Sequence, residues 1–268
     1  MSQKSTSENL AEAMVQARRQ WQLQRKTDAA PGIPLAPSYP AFTIALSREA
    51  GANGSLIGRA IAERLGWLVY DRELVQHIAE DMGVRTSLIE SVDEKHQSWL
   101  LECLESFAAA SKASESGYVR HLLQTLVSLG IHGECVVVGR GAAQVLPSAT
   151  TLRVRLFAPF EERVTVISQR LGISRKEAAQ WVEKTDGERV RFVKEHFHID
   201  STDPQHYDLM VNSSRFTVPD CADLVVDAVR RLPVAASERK SVLQAPAESI
   251  ANRKWESAGK PGGDGVQF

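Results

Sequence analysis

Three short stretches of this chain carry residue types and spacings suited to chemistry on phosphate groups. The first is Gly51-Ala52-Asn53-Gly54-Ser55, where an apolar run stops and a helical pattern starts at once. Gly51 and Gly54 allow a tight turn and a close backbone approach to a ligand, and the helix that follows offers free N–H groups and a positive dipole end. The second is Gly139-Arg140-Gly141, directly after the apolar run CVVV. An arginine held between glycines at the carboxyl end of a strand can aim a planar fork at a phosphate. The third is EKTDGERVRFVKEHF at 183–197, where Asp186, Arg189, Arg191 and Lys194 fall along one helical segment. Phosphoryl transfer needs cations of this kind on the moving group.

Each stretch also has a plain structural alternative. The loop could be a glycine-rich turn, Arg140 a rim residue paired with a carboxylate, and 183–197 a solvated face laced with pairs such as Glu188 and Arg191. The loop fits neither G-x-x-x-x-G-K-[ST] nor the dinucleotide fingerprint G-x-G-x-x-G, and the second mismatch argues against a dinucleotide-dependent oxidoreductase. Asp71 is placed either to orient a ligand or to cap a helix. The histidines of HFHID at 196–200 lack an indicated third ligand and read as a surface feature.

The elements that must position these residues are legible as alternating strand and helix patterns. Strands are expected at 42–47, 67–70, 135–139, 151–158 and 207–213. Helices follow the first strand, fill most of 72–130 with a break at 111–117, and recur at 160–171, 174–195 and 219–231. Short apolar strands separated by helices make a parallel sheet covered on both faces, with ligands at its carboxyl ends. Chemistry is therefore expected just after residues 47, 71, 139 and 213. Residues 1–40 are expected to form a largely disordered extension with a short amphipathic helix (Leu10, Met14, Ala17, Trp21) and a Pro/Ala-rich linker. The folded core is expected within 41–233, and the polar, Gly-rich tail 234–268 is expected to be disordered.

The totals agree with a soluble α/β protein of 268 residues, 43% apolar and 24% charged. A net charge of −1 argues against a general nucleic-acid binder. No apolar run is long enough to span a bilayer. The N-terminus lacks the apolar core of a secretory signal, and three scattered cysteines without a CxxC point to reduced thiols and a cytoplasmic location.

The blocks ALSREAGANGSLIGRAIAERLGWLVYDREL, VDEKHQSWL, VVVGRGA, LRVRLFAPFEERV and EKTDGERVRFVKEHFHIDSTDPQHYDLMVNSS, taken together and in order over about 42–230, resemble the cytidylate kinase-like family. The resemblance implies a P-loop NTPase-type three-layer α/β sandwich with a five-stranded parallel sheet, a helical insertion that binds the nucleoside monophosphate, and a lid. It implies ATP and Mg2+ as cofactors, with Gly51, Ala52, Asn53, Gly54 and Ser55 on the ATP phosphates and the Ser55 hydroxyl beside the magnesium. Asp71, Arg72 and Arg140 would serve the acceptor, Arg140 on its phosphate. Asp186, Arg189 and Arg191 match the lid stretch, where the two arginines would clamp the transferring group.

Three positions depart from the family pattern. The loop lacks its lysine and is one residue short, Gly141 stands for the aspartate of GRD, and His77 stands where a substrate-binding arginine is expected. Arg48, immediately before the loop, is the preferred stand-in for the lysine over Arg59. Two functions stay open on this basis: phosphoryl transfer from ATP to a nucleoside monophosphate, CMP or dCMP first, or nucleotide binding without catalysis. The expected partners are small-molecule nucleotides, not nucleic acid or membrane, in a monomer or weak homo-oligomer, with the N-terminal extension as the place for a protein partner.

Overall fold

The computed structural model describes residues 42–90 and 117–232, together with helical positions 15–17, 19 and 21. The expected linker 28–41, the VDEKHQSWL block at 92–100, the helix break at 111–116, Cys103 and the tail 234–268 lie outside the described residues.

In chain order the elements are β1 (Thr43–Arg48), α1 (Gly54–Leu65), β2 (Leu68–Tyr70), α2 (Arg72–Glu80), α3 (Met82–Glu90) and α4 (Gly117–His132). They continue with β3 (Cys135–Val138), α5 (Ala142–Val145), β4 (Thr151–Phe157), α6 (Phe160–Leu171) and α7 (Arg175–Phe197). A 3-10 turn at Pro204–His206, β5 (Leu209–Asn212) and α8 (Val218–Arg231) complete the order. The strands form one sheet, β2-β3-β1-β4-β5, with every neighbouring pair parallel.

Alternation along the strands explains the three layers. Successive side chains point to opposite faces, so Ala45, Val137 and Tyr70 enter a core shared with α2, α3 and α4. Ile44, Leu46, Val136, Val138, Val154 and Leu156 enter a second core under α1 and α8. Both faces are thus largely apolar, and β3 (CVVV) reads as a continuous hydrophobic run. A third, smaller cluster (Ala50, Val164, Ile167, Ala178, Val182) joins the α6–α7 hairpin to the loop after β1. Helix ends carry conventional signals: Ser174 with Glu177 and Thr217 with Asp220 form capping boxes, and Gly66 closes α1 at φ 68°.

The N-terminal segment contributes to the first core. Ala17 and Trp21 are buried there, Trp21 Nε1 donates to the Tyr70 hydroxyl at 3.1 Å, and the indole stacks on His132 at 6.5 Å between centroids. Gln16 lies in a groove with Arg59 and Glu63 of α1 and with Leu68 and Val69 of β2. Gln16, Ala17 and Trp21 are thereby set beside β2, an edge strand, which native sheets commonly cover.

Candidate functional site

A cavity of about 340 Å³ opens at the carboxyl ends of the strands. It receives Ser47 and Arg48 from the end of β1, Glu49 just after it, Arg72 from the start of α2 and Gly139-Arg140-Gly141 after β3. Three of the four expected positions thus meet in one place. The described residues after β5 do not line it; instead Arg155 of β4, Ser201 and Thr202, and the inner face of α7 do so.

Five arginines line this space: Arg48, Arg72, Arg140, Arg155 and Arg189. The carboxylates there are Glu49, Asp186 and Glu188, so positive charge is in excess. Burial pushes the Arg48 guanidinium down to about 10, and repulsion from Arg189 and Arg72 adds to that shift. Burial likewise lowers Arg189, with Arg72 and Arg163 opposing its charge and Asp186 favouring it. Arg140 is lowered by burial and by Arg72. The mutual repulsion of these guanidinium groups is relieved by an anion of several charges.

The turn after β3 is built for close contact. Gly139, Arg140 and Gly141 all take positive φ (84°, 53° and 75°), the left-handed region that non-glycine residues seldom adopt. A methyl group on Gly139 would fall 1.8 Å from Arg48 Nη1, and one on Gly141 would fall 2.1 Å from Phe197 Cε2. Arg140 is held at both ends: Nη2 donates to Gln76 of α2, and the guanidinium lies 5.4 Å from the Phe192 ring centre. Gly139→Ala is expected to displace Arg48 and cost about 1–3 kcal/mol through strain alone, measurable as a lower urea midpoint at unchanged m.

The glycine loop differs from the picture drawn from spacing. A methyl group on Gly54 would lie 2.7 Å from Arg48 Cγ, and one on Gly51 (φ 84°) would lie 2.7 Å from the Arg163 carbonyl oxygen. The close approaches that the glycines permit are therefore filled by Arg48 and Arg163 in this conformation. Asn53 caps α1 from the left-handed region without a side-chain capping bond, its Oδ1 accepting instead from Arg170 Nη2 at 2.7 Å, which leaves the first-turn N–H groups without intrahelical partners. Ser55 is exposed in that turn.

Asp186 is committed structurally. Its carboxylate accepts from the Ala50 N–H at 2.7 Å and from Arg163 Nη1 at 2.5 Å, so it pins α7 to the loop. Arg189 Nη1 donates to the Arg48 carbonyl at 3.1 Å. Arg191 is exposed and outside the cavity lining; an i,i+2 spacing turns it roughly 200° around the helix from Arg189. The two expected clamp arginines are therefore not brought together. Asp71 caps α2 by accepting from Leu74 N at 3.1 Å, while its neighbour Arg72 lines the cavity. His196 packs edge-on against Phe192. Among the described residues no group of three or more His, Cys, Asp or Glu is arranged to hold a metal.

Residues not singled out from the sequence complete the site. Glu49 receives Arg155 at 3.4 Å and Arg163 at 3.3 Å, and accepts from the Ala158 N–H at 3.3 Å. Arg155 Nη1 donates to the Ser201 carbonyl at 2.8 Å, and the Tyr207 hydroxyl donates to the same oxygen at 2.7 Å. One available signal was the arginine at 155, flanked by Val154 and Leu156 within a strand, since charged side chains are rarely buried unpaired.

A cytidylate kinase of Methanopyrus kandleri is 24% identical over 189 residues, 67% of this chain and 88% of that protein. A uronate isomerase of Corynebacterium glutamicum is 26% identical over 162 residues, of which this chain spans only 31% of its length. The crystal structure of an uncharacterized protein from Eubacterium ventriosum shares the fold, with TM-score 0.58 and 19% identity over 71% of this chain and 98% of that one. The model of the cytidylate kinase-like family matches residues 43–215, which include every strand of the sheet and all five cavity arginines, and the chain belongs to that family.

Proposed function

We propose that this protein transfers the γ-phosphoryl group of ATP to a nucleoside monophosphate, with CMP or dCMP as the acceptor. The observation that carries this reading is the convergence of five arginines on one cavity at the carboxyl ends of a parallel sheet. Phosphoryl transfer demands charge neutralisation and alignment more than covalent chemistry. Membership of the family and the curated cytidylate kinase relative support the same reaction class.

In this reading Arg140 and Arg72 hold the acceptor phosphate, and Arg189 meets the moving group. Arg48 supplies, from the strand end, the charge that a loop lysine would otherwise bring. The first-turn N–H groups of α1 receive the donor phosphates once the Arg48 stem moves off Gly54. Magnesium keeps most of its shell as water and phosphate oxygen and needs few protein ligands. The exposed Ser55 hydroxyl fits that requirement, whereas Asp186 is already engaged by Arg163 and Ala50. Bound there, the ion would neutralise charge on the donor phosphates.

One observation favours a second reading, nucleotide binding without turnover: the faces of Gly51 and Gly54 are filled by protein atoms. An assay of ATP–Mg2+ with each nucleoside monophosphate and nucleoside, run beside ATP binding, separates the two. Turnover highest with CMP or dCMP supports the proposal. Tight ATP binding with no turnover on any acceptor overturns it in favour of the second reading.

A further inference from the structure

The cavity lining offers both a cationic and a neutral surface. Arg48, Arg72, Arg140 and Arg189 supply the first. Arg155 belongs to the second, because it and Arg163 are balanced by Glu49 and Asp186. Beside Arg155 stand Ser47, Gln144 and Ser201, which also line the cavity. The buried Tyr207 hydroxyl ties them together, 3.2 Å from Ser47 Oγ and 3.0 Å from Gln144 Nε2. These bonds decide which end of the Gln144 amide meets the tyrosine. The Ser201 carbonyl can only accept, so Tyr207 gives it its single proton at 2.7 Å. Tyr207 is then an acceptor toward its other neighbours, and Arg155 Nη1, itself only a donor, lies 3.4 Å away. Gln144 must therefore present its NH2 group, since the reversed amide would set lone pairs against lone pairs. Its Oε1 has no partner among the described residues and stays accessible. The half-buried Gln144 is thus held as a fixed acceptor on the cavity wall.

We infer that Gln144 selects the base of the acceptor, taking the exocyclic amino group of cytosine on Oε1, and that Tyr207 is the positioning residue that holds the amide in this sense. This rests on the reading that the cavity takes a nucleoside monophosphate, its phosphate on the arginines and its uncharged base on the neutral wall. The amino group of cytosine donates, whereas the oxo group of uracil offers only lone pairs and would meet Oε1 acceptor to acceptor. A fixed hydrogen-bonding group discriminates against a ligand that lacks its complement. CMP and UMP carry the same phosphate, so the arginines do not separate them.

The test is calorimetric titration of the full chain with CMP, UMP and ribose 5-phosphate, repeated with Gln144→Met and Tyr207→Phe, beside thermal unfolding of each protein. The unaltered protein is expected to bind CMP about 10- to 100-fold more tightly than UMP, the effect of one hydrogen bond made against one buried acceptor left unpaired. Gln144→Met lowers CMP affinity by that factor and leaves ribose 5-phosphate unchanged, so the preference disappears. Tyr207→Phe frees the amide to turn, and the preference falls through a gain in UMP affinity, which general loosening of the site would not give. Tyr207 is buried, so the unaltered protein and Gln144→Met carry the decision on base selection whether or not Tyr207→Phe folds. Equal binding of CMP and UMP by the unaltered protein overturns the inference and leaves phosphoryl transfer standing. A loss in Gln144→Met shared by CMP, UMP and ribose 5-phosphate makes Gln144 structural and overturns it too, as does a preference that survives this substitution. A preference retained by folded Tyr207→Phe overturns the positioning role. Absence of monophosphate binding by the unaltered protein overturns the functional reading as well.

Discussion

Replacing Arg189 with alanine is expected to lower kcat for phosphoryl transfer by about 10²–10³, the loss that follows removal of one preorganised charge-stabilising donor. The size comes from its setting. The guanidinium lines the cavity, is half-buried, and is fixed by its bond to the Arg48 carbonyl at 3.1 Å and by Asp186 at 3.9 Å. Its charge is already opposed by burial, Arg72 and Arg163, so the interaction it gains when a phosphoryl group passes is larger than that of a solvated arginine. The loss should appear in kcat more than in KM, because the group acts on charge that develops during transfer. Arg191→Ala is the contrast on the same helix. That side chain is exposed, and its removal is expected to change kcat by no more than about threefold, the effect of a surface substitution. Steady-state kinetics on both variants check the pair; equal losses would place the site on the other side of α7.

The second large effect falls far from the cavity. Trp21→Ala is expected to destabilise the full chain by about 3–5 kcal/mol, the range for deleting a large aromatic from a core. Trp21 is 2% exposed, stacks on His132 and donates to the Tyr70 hydroxyl at 3.1 Å. Its deletion leaves a cavity and a buried hydroxyl without that partner. For a protein of this size the change corresponds to a Tm lower by roughly 6–20 °C. Trp21→Phe, which keeps a ring and loses the N–H, should fall between. A Tm unchanged by Trp21→Ala would mean that the N-terminal segment is not docked on the core in solution.

Most of the sheet was legible because its strands are short apolar runs between turn signals, and all five strands lie within two residues of the expected bounds. Arg140 was legible for the same reason, since a glycine pair just past a buried strand points to the ligand side of a parallel sheet. Other parts of the site depend on what meets in space. The pattern Leu10, Met14, Ala17, Trp21 shows a helix but not that Ala17 and Trp21 would be buried beside α4 and Tyr70. The spacing of Gly51 and Gly54 shows that something comes close to the backbone but not that Arg48 and Arg163 do. Arg189 and Arg191 looked alike as cations in one segment, and helical rotation separates them. Arg155 sits in a strand whose neighbours are apolar, and only pairing across the sheet shows that Glu49, Ser201 and Tyr207 receive it.

Transfer of a phosphoryl group between nucleotides in the arginine-lined cavity, without a loop lysine, is the activity proposed above. The most direct measurement is incubation of the full chain with γ-labelled ATP, Mg2+ and CMP, with the products separated. Label recovered in CDP, and lost with Arg189→Ala, is the predicted result. Label that stays in ATP or passes only to inorganic phosphate, across CMP, dCMP and the other monophosphates, would contradict it.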